Sequence, residues 1–168
     1  MVISVIVFSK DRPFQLGQYL RTLFRYTRNV LLKVCVVAKI QEDYEEGYKR
    51  LAVLFPQVYF IRETNFSEHV KELVESVDES DFVIFGVDDA LFCAEIPWSY
   101  AVDSLSTIPR LQCVHLKLSP GLVYCHPAAS VQVFMCVCCV GQDFVCDYNA
   151  FTGRACIAGI QVQRARSI

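Results

Sequence analysis

Phe82-Val83-Ile84-Phe85-Gly86-Val87-Asp88-Asp89 sets a short apolar run directly before two adjacent carboxylates. The run is β-branched and aromatic and shows no polar alternation. That reads as a strand buried on both faces rather than as a half-exposed one. Such strands belong to parallel sheets covered by helices on each side. The two carboxylates then fall just past the strand's carboxyl end, where open α/β sheets place their ligand-binding loops.

Upstream, the same signature recurs at Ser4 to Phe8, Val34 to Ala38 and Val58 to Ile61. Helical stripes separate these runs. Leu16, Leu20, Leu23 and Phe24 recur at helical spacing after Asp11-Arg12-Pro13, whose proline is tolerated in a first helical turn. Tyr44, Tyr48, Leu51, Ala52 and Phe55 form a second stripe, stopped by Pro56. Val70, Leu73, Val74 and Val77 form a third, with Asn65 or Ser67 as its N-cap. The resulting β-α-β-α-β-α-β order predicts right-handed crossovers and an α/β three-layer sandwich around a mostly parallel twisted sheet.

We take the strand order to be 3-2-1-4, one that this rhythm allows. The chain would move outward from the first strand to the third, then return to pair its fourth strand with the first. The reversal point is where a ligand crevice forms. It would gather Ser9, Lys10, Asp11 and Arg12 from the first loop and Asp88 and Asp89 from the fourth. Adjacent carboxylates repel each other, and a divalent cation with oxygen ligands, Mg²⁺ or Mn²⁺, relieves that repulsion. A solvated Asp-Asp turn is the plainer alternative.

Past Asp89 the rhythm breaks. Ile96-Pro97-Trp98 to Leu105 reads as a short helix. Val114, Leu116 and Leu118 alternate with His115 and Lys117, as in a half-exposed strand. Pro120-Gly121 is a turn after which Leu122-Val123-Tyr124 is expected to pair back. The Cys- and Val-rich run from Val131 to Val140 must extend the sheet or become an aggregation liability, and Asp143 to Ile168 shows little periodicity. The division expected is residues 1–128 as one α/β domain and 129–168 as a C-terminal tail. Trp98 and Tyr100 suit either a sugar-stacking platform or the core.

The chain has 168 residues, of which 54% are hydrophobic and 20% charged, which excludes disorder. A net charge of -2 leaves no field for a general nucleic-acid binder. The seven glycines form neither G-x-G-x-x-G nor a P-loop. Met1 to Phe8 has no basic leader, and Lys10-Asp11-Arg12 interrupts it too early for a signal sequence. The uncharged stretch from Leu118 to Gln142 is broken by Pro and Gly short of the roughly 20 apolar residues a spanning helix needs. A soluble, cytoplasmic chain is therefore expected. Nine cysteines without an export signal do not suggest a disulfide framework. Cys136-Val137-Cys138-Cys139 lacks the second ligand pair that a zinc knuckle requires.

Ser4-Val5-Ile6-Val7-Phe8-Ser9-Lys10-Asp11-Arg12-Pro13 resembles the opening of GT-A glycosyltransferases of the family-2 type. Asn65 to Val77 followed by Asp81 to Asp89 resembles their third helix and D-x-D strand. The resemblance spans about residues 2–127 and leaves the C-terminal part unmatched, so a fold incomplete at that end is expected. It implies a nucleotide-diphosphate-sugar donor, an unspecified acceptor and bound Mn²⁺ or Mg²⁺. Asp89 is the implied metal ligand. Asp88 would share the metal or contact the donor. Phe8, Ser9, Lys10, Asp11 and Arg12 would hold the nucleotide, and Lys71 would face the diphosphate.

Two departures qualify the pattern. Val87 stands in place of the first Asp of D-x-D. Ala38-Lys39 stands where many members carry acidic residues that read the base. Glu95, Asp103, Asp143 and Asp147 are available as a catalytic carboxylate, but none lies in a motif, so the catalytic base is unassigned. The activity implied is metal-dependent sugar transfer. The alternative is a non-catalytic or truncated nucleotide-sugar-binding remnant of the same fold.

Overall fold

The computed structural model describes residues 2–27, 30–78, 81–95 and 98–107, together with the backbone of 111–115, 124–125, 130–131, 137–140, 143–146 and 161–164. The elements are β1 (Val2–Lys10), α1 (Pro13–Tyr26), β2 (Leu31–Lys39), a 3₁₀ turn (Glu42–Tyr44), α2 (Glu45–Leu54), β3 (Val58–Arg62), α3 (Phe66–Glu75), β4 (Phe82–Val87) and α4 (Trp98–Thr107). Six strands follow: β5 (Leu111–His115), β6 (Tyr124–Cys125), β7 (Ser130–Val131), β8 (Val137–Val140), β9 (Asp143–Cys146) and β10 (Gln161–Arg164). An eight-stranded sheet runs β3-β2-β1-β4-β10-β5-β8-β9.

The first four strands take the order expected from the sequence. β1 lies parallel to β2 in register Val5↔Val34 and parallel to β4 in register Val5↔Ile84. The carboxyl ends of β1 and β4 therefore share one edge of the sheet, with Phe8 opposite Val87.

Strand alternation divides the core in two. Ile3, Val5, Val7, Val34, Val36 and Ile84 face Leu16, Tyr19, Leu20 and Leu23 of α1 and Tyr48 and Leu51 of α2. Ile6, Val37 and Val83 face the other way, against Leu73, Val74 and Val77 at α3. Burying each such aliphatic side chain contributes roughly 1.5–3 kcal/mol, which is why both faces of the parallel sheet hold. α4 closes the first layer with Trp98, Ala101 and Leu105. Trp98 is therefore a core residue, and the side chain of Tyr100 lies outside those described.

Local signals set the helix ends. Pro13 begins α1, and the Asn65 side chain accepts a hydrogen bond from Glu68 N–H to cap α3. The second stripe is narrower than its spacing suggests. Tyr48, Leu51 and Phe55 are buried, while Ala52 and Tyr44 are exposed. The reason is that α2 packs on α1 along one line, so only positions at i, i+3 and i+7 of that line meet it.

Beyond β4 the structure departs from the sequence reading. Gln161–Arg164, within the stretch that showed little periodicity, forms β10, which lies antiparallel between β4 and β5. β8, from the Val131 to Val140 run, extends the sheet antiparallel to β5. Tyr124 does not pair back on β5; it pairs with Val131 in a separate two-stranded sheet. Short strands carry little register information of their own, so their partners are decided by what the rest of the sheet leaves open. The readings placed on residues 96–97, 116–123, 126–129, 132–136, 147–160 and 165–168 lie outside the described residues. Among the described residues no helix is long and apolar enough to cross a membrane.

Cys35 sits half-buried within β2, and burial pushes its thiol up to about 11. Burial also raises Tyr48. A group whose folded-state value lies above its unfolded value stabilises the fold below the unfolded value and loses that contribution as pH rises. Stability should therefore hold up to about pH 9 and fall toward pH 11. Denaturant melts at pH 8 and pH 11 check this. Cys35→Ala should shrink the difference between the two, and an unchanged difference would contradict the assignment.

Candidate active site at the β1–β4 edge

The crevice is built from a hydrogen-bonded relay. Strand alternation turns Ser9 to the same side as Val7, toward α1 and α2, where it is 6% exposed. There its hydroxyl meets two groups. Ser9 Oγ–H donates to Asp88 Oδ2 at 2.8 Å, so the Tyr48 hydroxyl, 2.6 Å away, is the donor to Ser9 Oγ. Tyr48 Oη in turn accepts from Arg12 N–H at 3.1 Å. The relay runs from Arg12 N–H through Tyr48 and Ser9 to the Asp88 carboxylate, with every bond pointing the same way. Aligned donors of this kind polarise one another and strengthen the terminal bond to the anion.

Asp88 is fixed from further directions. Lys10 N–H donates to Oδ2 at 3.3 Å, and Asp88 N–H donates to the Phe8 carbonyl at 3.2 Å. Its side chain is 6% exposed, whereas that of Asp89 is 59% exposed. Arg12 spans the pair: Nη1 lies 3.7 Å from Asp88 Oδ1 and 3.9 Å from Asp89 Oδ2. Its own side chain is 54% exposed.

The other candidates divide. Lys10 contributes its backbone N–H, and its side chain is exposed. Phe8 turns to the opposite sheet face, where its ring stacks with Phe85 and tilts against Phe66 at 5.1 Å. Its contribution to the crevice is its carbonyl oxygen. Asp11 adopts φ 54°, the left-handed region that Asp tolerates better than most residues. Its N–H donates to the Lys39 carbonyl and its Oδ1 accepts from Gln41 N–H at 2.8 Å. Asp11 therefore ties the β1 loop to the β2 loop. Lys71 lies on α3, exposed, with Nζ 3.7 Å from Glu75 Oε1. Glu95 and Asp103 are exposed.

Tyr48 is the site residue that sequence reading missed. Its place in an apolar helical stripe explained it fully, and nothing local marked a hydroxyl aimed at another strand's loop. Tyr48→Phe should leave the ring packed and break the relay, costing about 1–2 kcal/mol by thermal melting. A melt within error of wild type would show that the relay adds nothing.

Two carboxylate oxygens face the Arg12 guanidinium at this edge. Asp88 Oδ1 and Asp89 Oδ2 lie 3.7 and 3.9 Å from the cationic Arg12 Nη1. Asp88 Oδ2 is taken by Ser9 and Lys10. Among the described residues no group of three or more His, Cys, Asp or Glu side chains surrounds a common point. Two carboxylates with the remaining positions left to water or phosphate oxygens is an arrangement Mg²⁺ commonly uses.

Comparison with known proteins bears on the fold and on the sequence relationship of the chain. The chain is 35% identical over 133 residues to the bifunctional glycosyltransferase pgtA of Dictyostelium discoideum, covering 74% of this chain. It spans 17% of that protein's length. No family model matches. Among solved structures, a 4-diphosphocytidyl-2C-methyl-D-erythritol synthase superposes with a TM-score of 0.56 at 12% identity, covering 98% of this chain and 75% of that one. The corresponding synthase from Anaerococcus prevotii gives 0.52 at 11% identity, covering 98% and 70%. TarS of S. aureus gives 0.47 at 17% identity, over 62% of this chain and 19% of that one. The chain is thus a sequence relative of a glycosyltransferase, built on an α/β fold that it shares with those two synthases.

Proposed function

We propose that this chain binds a nucleotide-diphosphate sugar with Mn²⁺ or Mg²⁺ at the β1–β4 edge, as the donor-binding unit of a glycosyltransferase. The observation that carries the reading is that Asp88 and Asp89 both lie within ion-pair reach of Arg12, at the carboxyl ends of adjacent parallel strands. The 35% identity to a glycosyltransferase supports the reaction class.

Asp89 is the accessible ligand, and Asp88 offers Oδ1 from a fixed carboxylate. The β1 loop, from Ser9 to Arg12, borders the space where a diphosphate would lie. The bound cation would neutralise charge on the departing diphosphate while the donor carbon becomes cation-like. The protein's part is to hold the Asp88 carboxylate still, so that less rearrangement is needed as that charge develops.

A thermal-shift screen of nucleoside diphosphates and their sugars, with and without Mn²⁺, tests the reading. A ligand that binds only the folded state raises the melting temperature by mass action. The expected result is stabilisation that requires both nucleotide and metal. Asp89→Asn should lower the Mn²⁺-dependent affinity more than Asp88→Asn does, because an amide at 89 keeps the shape and loses the exposed charge. Equal affinity for wild type and Asp89→Asn in calorimetry would remove the metal from this site.

A further inference from the structure

Arg12 stands out as a cation held by attraction without being locked. Its Nη1 lies 3.7 Å from Asp88 and 3.9 Å from Asp89, both beyond hydrogen-bond length. Half of its side chain is in solvent. The anchoring of the loop does not depend on that guanidinium. Arg12 N–H binds Tyr48, and the Arg12 carbonyl accepts from Leu16 N–H at 3.0 Å to start α1. The backbone is fixed while the guanidinium is free to leave.

The two carboxylates need such a partner. One is buried and cannot turn away from the other, because Ser9 and Lys10 hold it. Without a cation beside them only the solvent around the exposed Asp89 would screen their repulsion. Arg12 and a divalent cation therefore compete for the same pair of oxygens. A doubly charged ion in direct contact should outcompete a guanidinium at 3.7–3.9 Å, since attraction grows with charge and with closeness.

We propose that Arg12 is a displaceable counter-ion: it neutralises Asp88 and Asp89 until a divalent cation takes its place, and the released guanidinium then binds the anionic diphosphate. The inference rests on the proposed metal–diphosphate reading and adds an order to it, with metal first and Arg12 committed to phosphate second. A planar guanidinium fork suits phosphate oxygens better than it suits a loose bridge between two carboxylates.

The signature is a substitution with opposite effects on the two ligands. Mn²⁺ alone is titrated into wild type, Arg12→Ala and Lys49→Ala, and free Mn²⁺ is read by electron paramagnetic resonance. Inorganic pyrophosphate is then titrated calorimetrically at saturating Mn²⁺. Arg12→Ala should bind Mn²⁺ about fivefold more tightly, the upper end for loss of a half-exposed ion pair, and pyrophosphate about fivefold more weakly. Lys49→Ala removes the same charge from α2 and should change Mn²⁺ affinity less than about twofold, because a remote exposed charge is screened. Thermal melts confirm that both variants are folded.

If wild type binds Mn²⁺ and Arg12→Ala binds it equally or more weakly, the counter-ion role is wrong and the metal site stands. Tighter Mn²⁺ with unchanged pyrophosphate overturns the hand-over to phosphate. If none of the three proteins binds Mn²⁺, the metal reading itself falls, and this inference with it.

Discussion

Gly86→Ala should destabilise the protein by about 3 kcal/mol or more, the upper range for overpacking a filled core. Gly86 lies in β4 opposite Val7 of β1. A Cβ there would drive into the Tyr19 hydroxyl, and it would come 2.9 Å from Tyr19 Cζ and 3.3 Å from Cε2. Tyr19 has no room to yield. It is fully buried in α1, and its ring packs edge-on against Phe92 at 5.4 Å. The Tyr19 hydroxyl finds no hydrogen-bond partner among the described residues, and burial raises its pKa. Tyr19→Phe alone should therefore be neutral or slightly stabilising, because it removes a polar group that burial leaves unpaired. Combined with Gly86→Ala it should recover part of the loss, since the deepest overlap is with the hydroxyl. Chemical denaturation of the four proteins forms a double-mutant cycle. Strict additivity, or a mild Gly86→Ala, would show that the core shifts freely at this contact.

Asp88→Ala should cost about 3 kcal/mol, which for a chain of this size is a fall of about 6–12 °C in melting temperature. The substitution leaves Ser9 Oγ–H and Lys10 N–H without their acceptor. It also removes the anion toward which the Tyr48 relay points. Asp89→Ala should leave stability within about 0.5 kcal/mol, because among the described residues its exposed side chain makes only the long contact to Arg12. Differential scanning calorimetry of the two variants separates the roles of neighbouring residues of the same type. Asp88 holds the crevice together, and Asp89 is the charge it presents. A melt of Asp88→Ala within 2 °C of wild type would show that the Ser9–Tyr48 relay finds other partners at no cost.

Several parts of this arrangement were legible in the residues. Phe82 to Val87 occupies the strand its apolar run marks, and Asn65 caps the helix its position suggested. The pairing of the first and fourth strands was expected from an assumed 3-2-1-4 order, which the alternation of strands and helices allows without requiring, and the structure has it. Ser9, Arg12, Asp88 and Asp89 could be gathered at one edge by topology alone, because parallel strands bring all their carboxyl ends to the same side. What the sequence could not show was the difference between Asp88 and Asp89. Both are aspartates one residue apart, and only the approach of the β1 loop buries one of them.

The sequence by itself determined the periodicities, hence the strands and helices of the N-terminal half and the parallel α/β layering that sets their carboxyl ends on one side. Those properties are local or follow from the rules of chain connection. Only the tertiary structure decided that Tyr48 belongs to the crevice, that the Phe8 side chain does not, and that Gln161–Arg164 enters the sheet between β4 and β5. Each of these depends on contacts between residues distant in sequence. Tyr48 lies 39 positions from Ser9, and Ser9 lies 79 from Asp88. A hydroxyl's partner over such spans is fixed by packing of the whole sheet, and no local pattern encodes it.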